Sequence, residues 1–431
     1  MNSSEGDLMD KIVSLCKRRG FVFPGSEIYG GLANSFDYGP LGDELKNNIK
    51  QLWRKRFLQQ RDDIVSIDAA LIMNPKVWEA SGHLSSFSDP LVECKNCHTR
   101  FRADVIDVLK PCQQCGKKNQ FTSARQFNLM LKTFLGPAEE KANKVYFRPE
   151  TAQAMFVDFK NVLETSRRKI PFGIAQIGKA FRNEITPGNF IFRTREFEQM
   201  EIEYFIKEEE WEKWFEYWKK EMWDWTLSNL GLRKENIREC ECKPENRAHY
   251  SKKTIDLEYE FPFGREELYG LAYRTDFDLK NHFNKPPYRD PETEEEFYPH
   301  VIEPTWGVDR SVLAVLCDAY TEEQDRVVLK LKPNLTPYKA AVFPLLANKP
   351  ELVKLARTIY DDLRKDFMVA FDDRGNIGKR YYSQDEIGTS WCITVDFESL
   401  ENDDVTIRDR DTMKQERVKI SELSNFLRGK L

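Results

Sequence analysis

The chain has 431 residues, of which 40% are hydrophobic and 32% charged, with a formal net charge of −5. That length holds about three domain-sized units, and no apolar run is long enough to span a bilayer. The opening Met1-Asn-Ser-Ser-Glu-Gly-Asp lacks the basic and apolar regions of a secretory signal, so a cytoplasmic protein is expected, without membrane contact. A mildly acidic chain does not advertise nucleic-acid binding, which usually shows as a basic domain or stripe. Any such contact rests on local patches: Arg364-Lys365, Arg374, Lys379-Arg380, Arg408 and Arg410 are the candidates.

Along the chain, Asp43 to Leu58 carries Leu45, Ile49, Leu52, Trp53 and Phe57 at helical spacing, and Ile64 to Met73 then reads as a strand before Asn74-Pro75. Ile174–Phe181 and Glu198–Phe205 are alternating runs bridged by the turn signal Thr186-Pro-Gly-Asn189, which predicts two antiparallel strands with a long loop between them. Period-two geometry sets Arg182 and Glu184 on one face of the first strand, and Glu201 and Glu203 on one face of the second. Charges so aligned at a sheet surface need a ligand or each other. Glu210 to Leu230 carries Trp211, Trp214, Trp218, Met222 and Trp225 at spacings of three and four, a packing face. From His300 a short apolar strand runs through Gly307 into an apolar helix, with Arg310 near the helix start, where its charge adds to the helix dipole and suits a phosphate.

Pro333-Asn-Leu-Thr-Pro337 reads as a linker. Beyond it come a strand at Ala340–Pro344, a helix at Glu351–Phe367, strands at Met368–Phe371 and Trp391–Phe397, and a last helix from Ser421. Such alternation predicts a compact α/β domain with a mixed sheet. Neither a Gly-x-Gly-x-x-Gly after a strand nor a Walker-type phosphate loop occurs.

Four of the nine cysteines form two knuckles, Cys94-Lys-Asn-Cys97 and Cys112-Gln-Gln-Cys115, separated by fourteen residues. Their thiolates have the spacing of a closed tetrahedral Zn²⁺ site with no open position, a structural metal. Iron, two disulfides and unligated thiols are the competing readings. His98 is a conceivable substitute ligand, although four thiolates already fill the shell.

The stretches Tyr38-Gly-Pro-Leu-Gly, Asn74-Pro-Lys-Val-Trp-Glu-Ala-Ser-Gly-His83, Phe147-Arg-Pro-Glu-Thr-Ala-Gln153, Arg182-Asn-Glu-Ile-Thr-Pro-Gly, Arg274-Thr-Asp-Phe-Asp-Leu, Val301-Ile-Glu-Pro, Asp385-Glu-Ile-Gly-Thr and Val405-Thr-Ile-Arg-Asp-Arg-Asp resemble the glycyl-tRNA synthetases of homodimeric type, within class IIa of the aminoacyl-tRNA synthetases. This resemblance spans nearly the whole chain. It implies an α+β catalytic core with an antiparallel sheet flanked by helices, a zinc-binding insertion, and a C-terminal α/β anticodon-binding domain. The expected divisions are 1–89 for the first part of the core with the dimer-forming motif, 90–120 for the knuckles, 121–332 for the rest of the core, and 333–431 for the anticodon-binding domain.

The implied activity is ATP-dependent ligation of glycine to its cognate tRNA through a glycyl-adenylate, with Mg²⁺ accompanying ATP. By resemblance Arg182 meets the α-phosphate and the glycine carboxylate, Glu184 the adenine amino group and Phe197 the adenine ring, with Arg193 and Arg310 at the γ-phosphate. Glu150, Glu201 and Glu303, with the Thr305 hydroxyl, are implied for glycine. Thr305, Trp306 and Ala154 depart from the expected pattern by added bulk near that pocket. Two alternative readings share this scaffold: a noncatalytic accessory or regulatory subunit, and a class IIa synthetase for another small amino acid.

Overall fold

The computed structural model describes residues 5–118, 120–137, 140 and 143–431; Met1–Ser4, part of the stretch examined for a signal, lie outside the described residues. The first long core helix, α1 (Pro40–Arg54), starts with proline at its first position, carries Asp43 in the first turn and Arg54 in the last, and so complements its own dipole. Leu41, Leu45, Ile49 and Trp53 form its buried stripe. It packs over a seven-stranded sheet.

The sheet strands are β1 (Ile64–Ser66), β2 (Phe172–Phe181), β3 (Glu196–Ile206), β4 (Ile237–Glu241), β5 (Lys253–Phe261), β6 (Gly264–Thr275) and β7 (His300–Gly307). Their order is β4-β5-β6-β7-β3-β2-β1. Every pairing is antiparallel except β1 with β2. The expected hairpin is present, with register from Phe172 opposite Phe205 to Phe181 opposite Glu196. The single strand expected at Ile64–Met73 is divided: Ile72–Met73 pairs instead with Lys144–Phe147. Between the two pieces, the Ala69 and Leu71 carbonyls turn to Arg148, accepting from its Nη1 at 3.0 Å and from its main-chain N–H at 3.0 Å.

Alternation gives the sheet two unlike faces. Met200, Ile202, Tyr204 and Ile206 of β3 enter the main hydrophobic core, whereas Glu201 and Glu203 lie on the opposite face. Trp306 of β7 joins the core side, with ring centroids 5.6 Å from Trp53 and 4.8 Å from Phe57. The helix α2 (Trp211–Asp224) and its continuation to Leu230 bury Phe215, Trp218, Met222 and Trp225 against the same core, and Trp211 stacks on Tyr273 at 4.7 Å. The tryptophan stripe is therefore packing, as expected. A helix α3 (Val308–Ala319) follows β7 directly.

Beyond it, a five-stranded mixed sheet comprises β8 (Ala340–Pro344), β9 (Val369–Phe371), β10 (Trp391–Val395), β11 (Asp404–Asp409) and β12 (Gln415–Lys419), in the order β9-β8-β10-β11-β12. β8 is parallel to both neighbours, and the last two pairings are antiparallel. The stretch 333–337, expected as a linker, is tied down: Leu335 and Thr336 are fully buried, and the Asn48 amide on α1 donates to both their carbonyls at 3.2 and 3.0 Å. Three of the candidate patch arginines are also structural. Arg408 makes a two-pronged pair with buried Asp385 at 2.8 and 2.9 Å, Arg410 donates to the Leu331 and Gly388 carbonyls at 2.7 Å, and Arg380 donates to the Gly375 carbonyl at 2.9 Å. Buried guanidinium groups need such partners, and surface placement could not be read from charge alone. Arg364, Lys365, Arg374 and Lys379 are exposed.

Candidate active site

A cleft opens at the end of the central strands, lined by Arg182, Glu184, Arg193, Phe197, Thr305 and Arg310 among others. Arg182 and Glu184 do not share a strand face, because β2 ends at Phe181. The Arg182 N–H still donates to the Arg195 carbonyl at 2.9 Å, but the next N–H, of Asn183, turns to Leu129 at 2.8 Å and pulls the chain off the sheet. The Arg182 guanidinium donates through Nε to the Pro149 carbonyl at 3.1 Å and sits 5.4 and 5.3 Å from the ring centroids of Phe87 and Phe197. Ring faces orient a planar cation. Arg193 closes the loop through main-chain bonds with Gly188. Arg310, in the first turn of α3, lies 4.4 Å over the Phe192 ring and pairs with Glu267 at 3.0 Å. Glu267 consequently has its carboxyl pulled below the usual range, first by Arg310. Three arginines at one cavity, two of them set against aromatic rings, suit a polyphosphate beside a planar base.

Under Thr305 lies a second, acidic pocket. Its hydroxyl donates to Glu201 at 2.9 Å, and the Thr151 hydroxyl donates to the other oxygen of the same carboxylate. Buried Arg274 donates to Glu303 at 2.8 Å and to both oxygens of Asp278 at 2.7 and 2.9 Å, with the Tyr250 ring centroid 3.6 Å away. Glu150 accepts from the Gln153 amide at 3.0 Å and faces His83 at 3.4 Å. Burial disfavours the charge on all these carboxylates. At Glu150, His83 and then Arg274 overcome it and hold the carboxyl well below its usual range; at Glu201, burial and the Glu150 charge push it up. A buried acidic cluster with one guanidinium inside it is an environment that suits a small cation.

The four cysteines of the knuckles converge, their sulfur atoms all within 4.8 Å of one another; Cys94 to Cys115 and Cys97 to Cys112 are each 3.7 Å. Four ligands about 2.3 Å from a tetrahedral Zn²⁺ stand about 3.8 Å apart, so the thiol geometry fits that metal and lies far from disulfide bonding. His98 turns away to Glu93 at 3.1 Å and is not a fifth ligand.

Residues 134–319 match the family model described as tRNA synthetase class II core domain (G, H, P, S and T), and residues 339–430 match the anticodon binding domain. The chain is 54% identical to a glycine–tRNA ligase of Alkaliphilus oremlandii, over 98% of each chain. It is 54% identical to that of Geobacillus thermodenitrificans, over 98% of this chain and 97% of the relative, and 53% identical to that of Clostridium acetobutylicum, over 98% of both. The chain belongs to the glycine–tRNA ligase family. The antiparallel sheet and the mixed C-terminal sheet are the class II core and the anticodon-binding unit of that family.

All three departures from the family pattern acquire a position. Thr305 is the residue at which the cavity and the acidic pocket meet, while Trp306, one residue on, faces the opposite side of the sheet and adds nothing to the pocket. Ala154 is buried within the short helix Ala152–Val157. Arg274, Asp278 and Glu203 join the acidic cluster in addition to the residues expected there. A signal existed for the first two, since Arg274 and Asp278 stand close together in a single charged run. Glu203 shares the Glu201 face by period two.

Proposed function

We propose that the chain ligates glycine to tRNA in two steps, through a glycyl-adenylate made from ATP. The observation that carries this reading is the junction at Thr305 of an arginine-lined cavity with a buried acidic pocket. A zwitterion fits that junction in one sense only, ammonium on the acidic side and carboxylate toward Arg182. Glycine's carboxylate attacks the α-phosphorus in line, the bond to pyrophosphate breaks, and a terminal ribose hydroxyl of tRNA then displaces AMP from the glycyl carbonyl. The carboxylate is already ionised, so no side-chain nucleophile is needed; alignment and charge stabilisation supply the rate.

In this reading Arg182 holds the α-phosphate and the amino-acid carboxylate, and Glu184 accepts from the adenine amino group. Phe197 stacks on the base, and Arg193 with Arg310 neutralises the γ-phosphate. Glu150, Glu201 and Glu303 take the ammonium. Thr305 limits the space beyond the α-carbon, which is how a residue without a side chain is selected. Mg²⁺ bound with ATP would spread phosphate charge, with Glu267 among the cavity carboxylates that could help hold it. Cys94, Cys97, Cys112 and Cys115 would hold structural Zn²⁺ in the 90–120 insertion. The α1 segment would form a homodimer interface, the rest of the chain would divide into 1–89, 121–332 and 333–431, and the protein would act in the cytoplasm.

Amino-acid-dependent exchange of labelled pyrophosphate into ATP tests the reading. Exchange with glycine and none with alanine, serine, threonine or proline is expected. Exchange with another amino acid overturns the pocket assignment, and none at all overturns the adenylation.

A further inference from the structure

The acidic pocket holds more negative charge than its partners balance. Glu150, Glu201, Glu203, Glu303 and Asp278 surround one guanidinium, that of Arg274; the His83 ring lies at Glu150, and the Arg148 charge reaches Glu201. Four of these carboxylates have hydrogen-bond donors or ion-pair partners. Glu203 is the exception: it is fully buried, and neither carboxylate oxygen has a hydrogen-bond partner among the described residues. One oxygen each of Glu201, Glu203 and Glu303 lie within 4.8 Å of one another. Leaving a carboxylate ionised, dry and without a donor costs several kcal/mol, and the usual remedy is to keep a proton.

We propose that Glu203 and Glu303 share one proton in the empty pocket, and that this proton is released to solvent when the ammonium group of the amino acid enters. Glu203 is then a positioning residue: it sets the charge of the pocket by acting through Glu303. The inference rests on the glycine-binding reading above.

The acids on the packed elements agree in sign, and one cation opposes them. On β3 Glu201 and on β7 Glu303 repel a charge on Glu203; Asp278 of the helix Phe277–His282 does the same, and Arg274 of β6 alone among the leading influences favours it. Tyr250 is itself neutral there, its hydroxyl pushed far up by burial. Burial first, then the Glu303 charge, raises Glu203 well above the ordinary carboxylate range; burial raises Glu303 too, against the pull of Arg274. Two carboxyls this close with one counter-charge titrate as a pair, so the proton belongs to both. An incoming ammonium supplies the second counter-charge while keeping its own three protons, the shared O–H bond breaks, and the proton passes to the buffer. The sign follows: below the pair's upper pKa, raising the pH by one unit should tighten glycine binding up to tenfold, because less work is needed to remove the proton.

Calorimetric titration of the full chain with glycine, in phosphate and in Tris at one pH, tests this. The expected result is a binding heat that differs between the buffers in proportion to their ionisation heats, corresponding to release of up to one proton per glycine. In Glu203→Gln the buffer difference should vanish and the affinity should lose its pH dependence. That loss distinguishes a proton-holding role from a merely structural one. Glycine heat that is the same in both buffers for the wild-type chain overturns the proposal while leaving the glycine reading intact. A Glu203→Gln chain with undiminished proton release overturns it as well. No glycine heat in either buffer removes the underlying reading and this inference with it. Should Glu203→Gln fold poorly, the wild-type comparison between buffers decides alone.

Discussion

The two halves of the site are built on opposite plans. On the acidic side Glu201, Glu203, Glu303 and Arg274 sit on strands, Asp278 on a short helix and Glu150 in the turn before another; all are buried, and all but Glu203 are bonded to another side chain. On the arginine side the cations stand in the loop after β2 and at the start of α3, oriented by ring faces and single contacts. The difference follows from the ligand parts each side would meet. A pocket that must refuse a single extra methyl has to be rigid, since discrimination by one methylene is worth only about 1–3 kcal/mol. A polyphosphate brings its own large charge, so its partners need reach and cationic character more than a fixed shape.

Breaking the rigid half should have the largest effect. Arg274→Gln leaves Glu303 and Asp278 buried without their shared counter-charge, a loss of about 3–5 kcal/mol. Denaturant unfolding should show the midpoint falling with it; an unchanged midpoint would mean that the acids are balanced otherwise. Arg182→Ala removes a donor from the loose half and should lower glycine-dependent pyrophosphate exchange about 10²–10³-fold, with stability nearly unchanged since the side chain makes one main-chain hydrogen bond. A matching loss of stability would place Arg182 among the structural arginines instead.

Glu201→Ala should raise KM for glycine by about thirtyfold or more, truncation of one partner in a buried charge pair costing about 2–5 kcal/mol, while KM for ATP stays within about twofold. Near-normal activation would show that Glu201 serves only Thr151 and Thr305. Away from both halves, Cys97→Ser should abolish stoichiometric zinc in the purified chain but leave pyrophosphate exchange within a few-fold, because the knuckles lie outside the cavity. The mildest change, Thr305→Ser, keeps the hydroxyl bonded to Glu201 and removes one methyl. It should shift KM for glycine by less than about tenfold and sharpen the contrast least, and a larger shift would show that the methyl itself shapes the pocket.

Much of this was present in the order of residues. The β2–β3 hairpin, the strand-to-helix passage at Gly307, the tryptophan stripe and the alternating C-terminal elements follow from apolar periodicity, and each was found where the pattern put it. The two cysteine knuckles and the acids of β3 follow from spacing, since fixed intervals along a regular backbone set which side chains share a face.

Tertiary structure decided what period and spacing leave open. The chain leaves the sheet at Arg182, not after Glu184, because the N–H of Asn183 finds Leu129, a residue 54 positions earlier. Arg380, Arg408 and Arg410 read as surface cations but are buried, since their partners Gly375, Asp385, Gly388 and Leu331 are brought to them only by the fold. Arg274 meets Glu303 because β6 and β7 are neighbours, a fact of register and not of composition. Local sequence determined which side chains could act. Long-range packing determined which of them are charged, dry and facing one another, because burial and counter-charge depend on residues that the chain brings together only when folded.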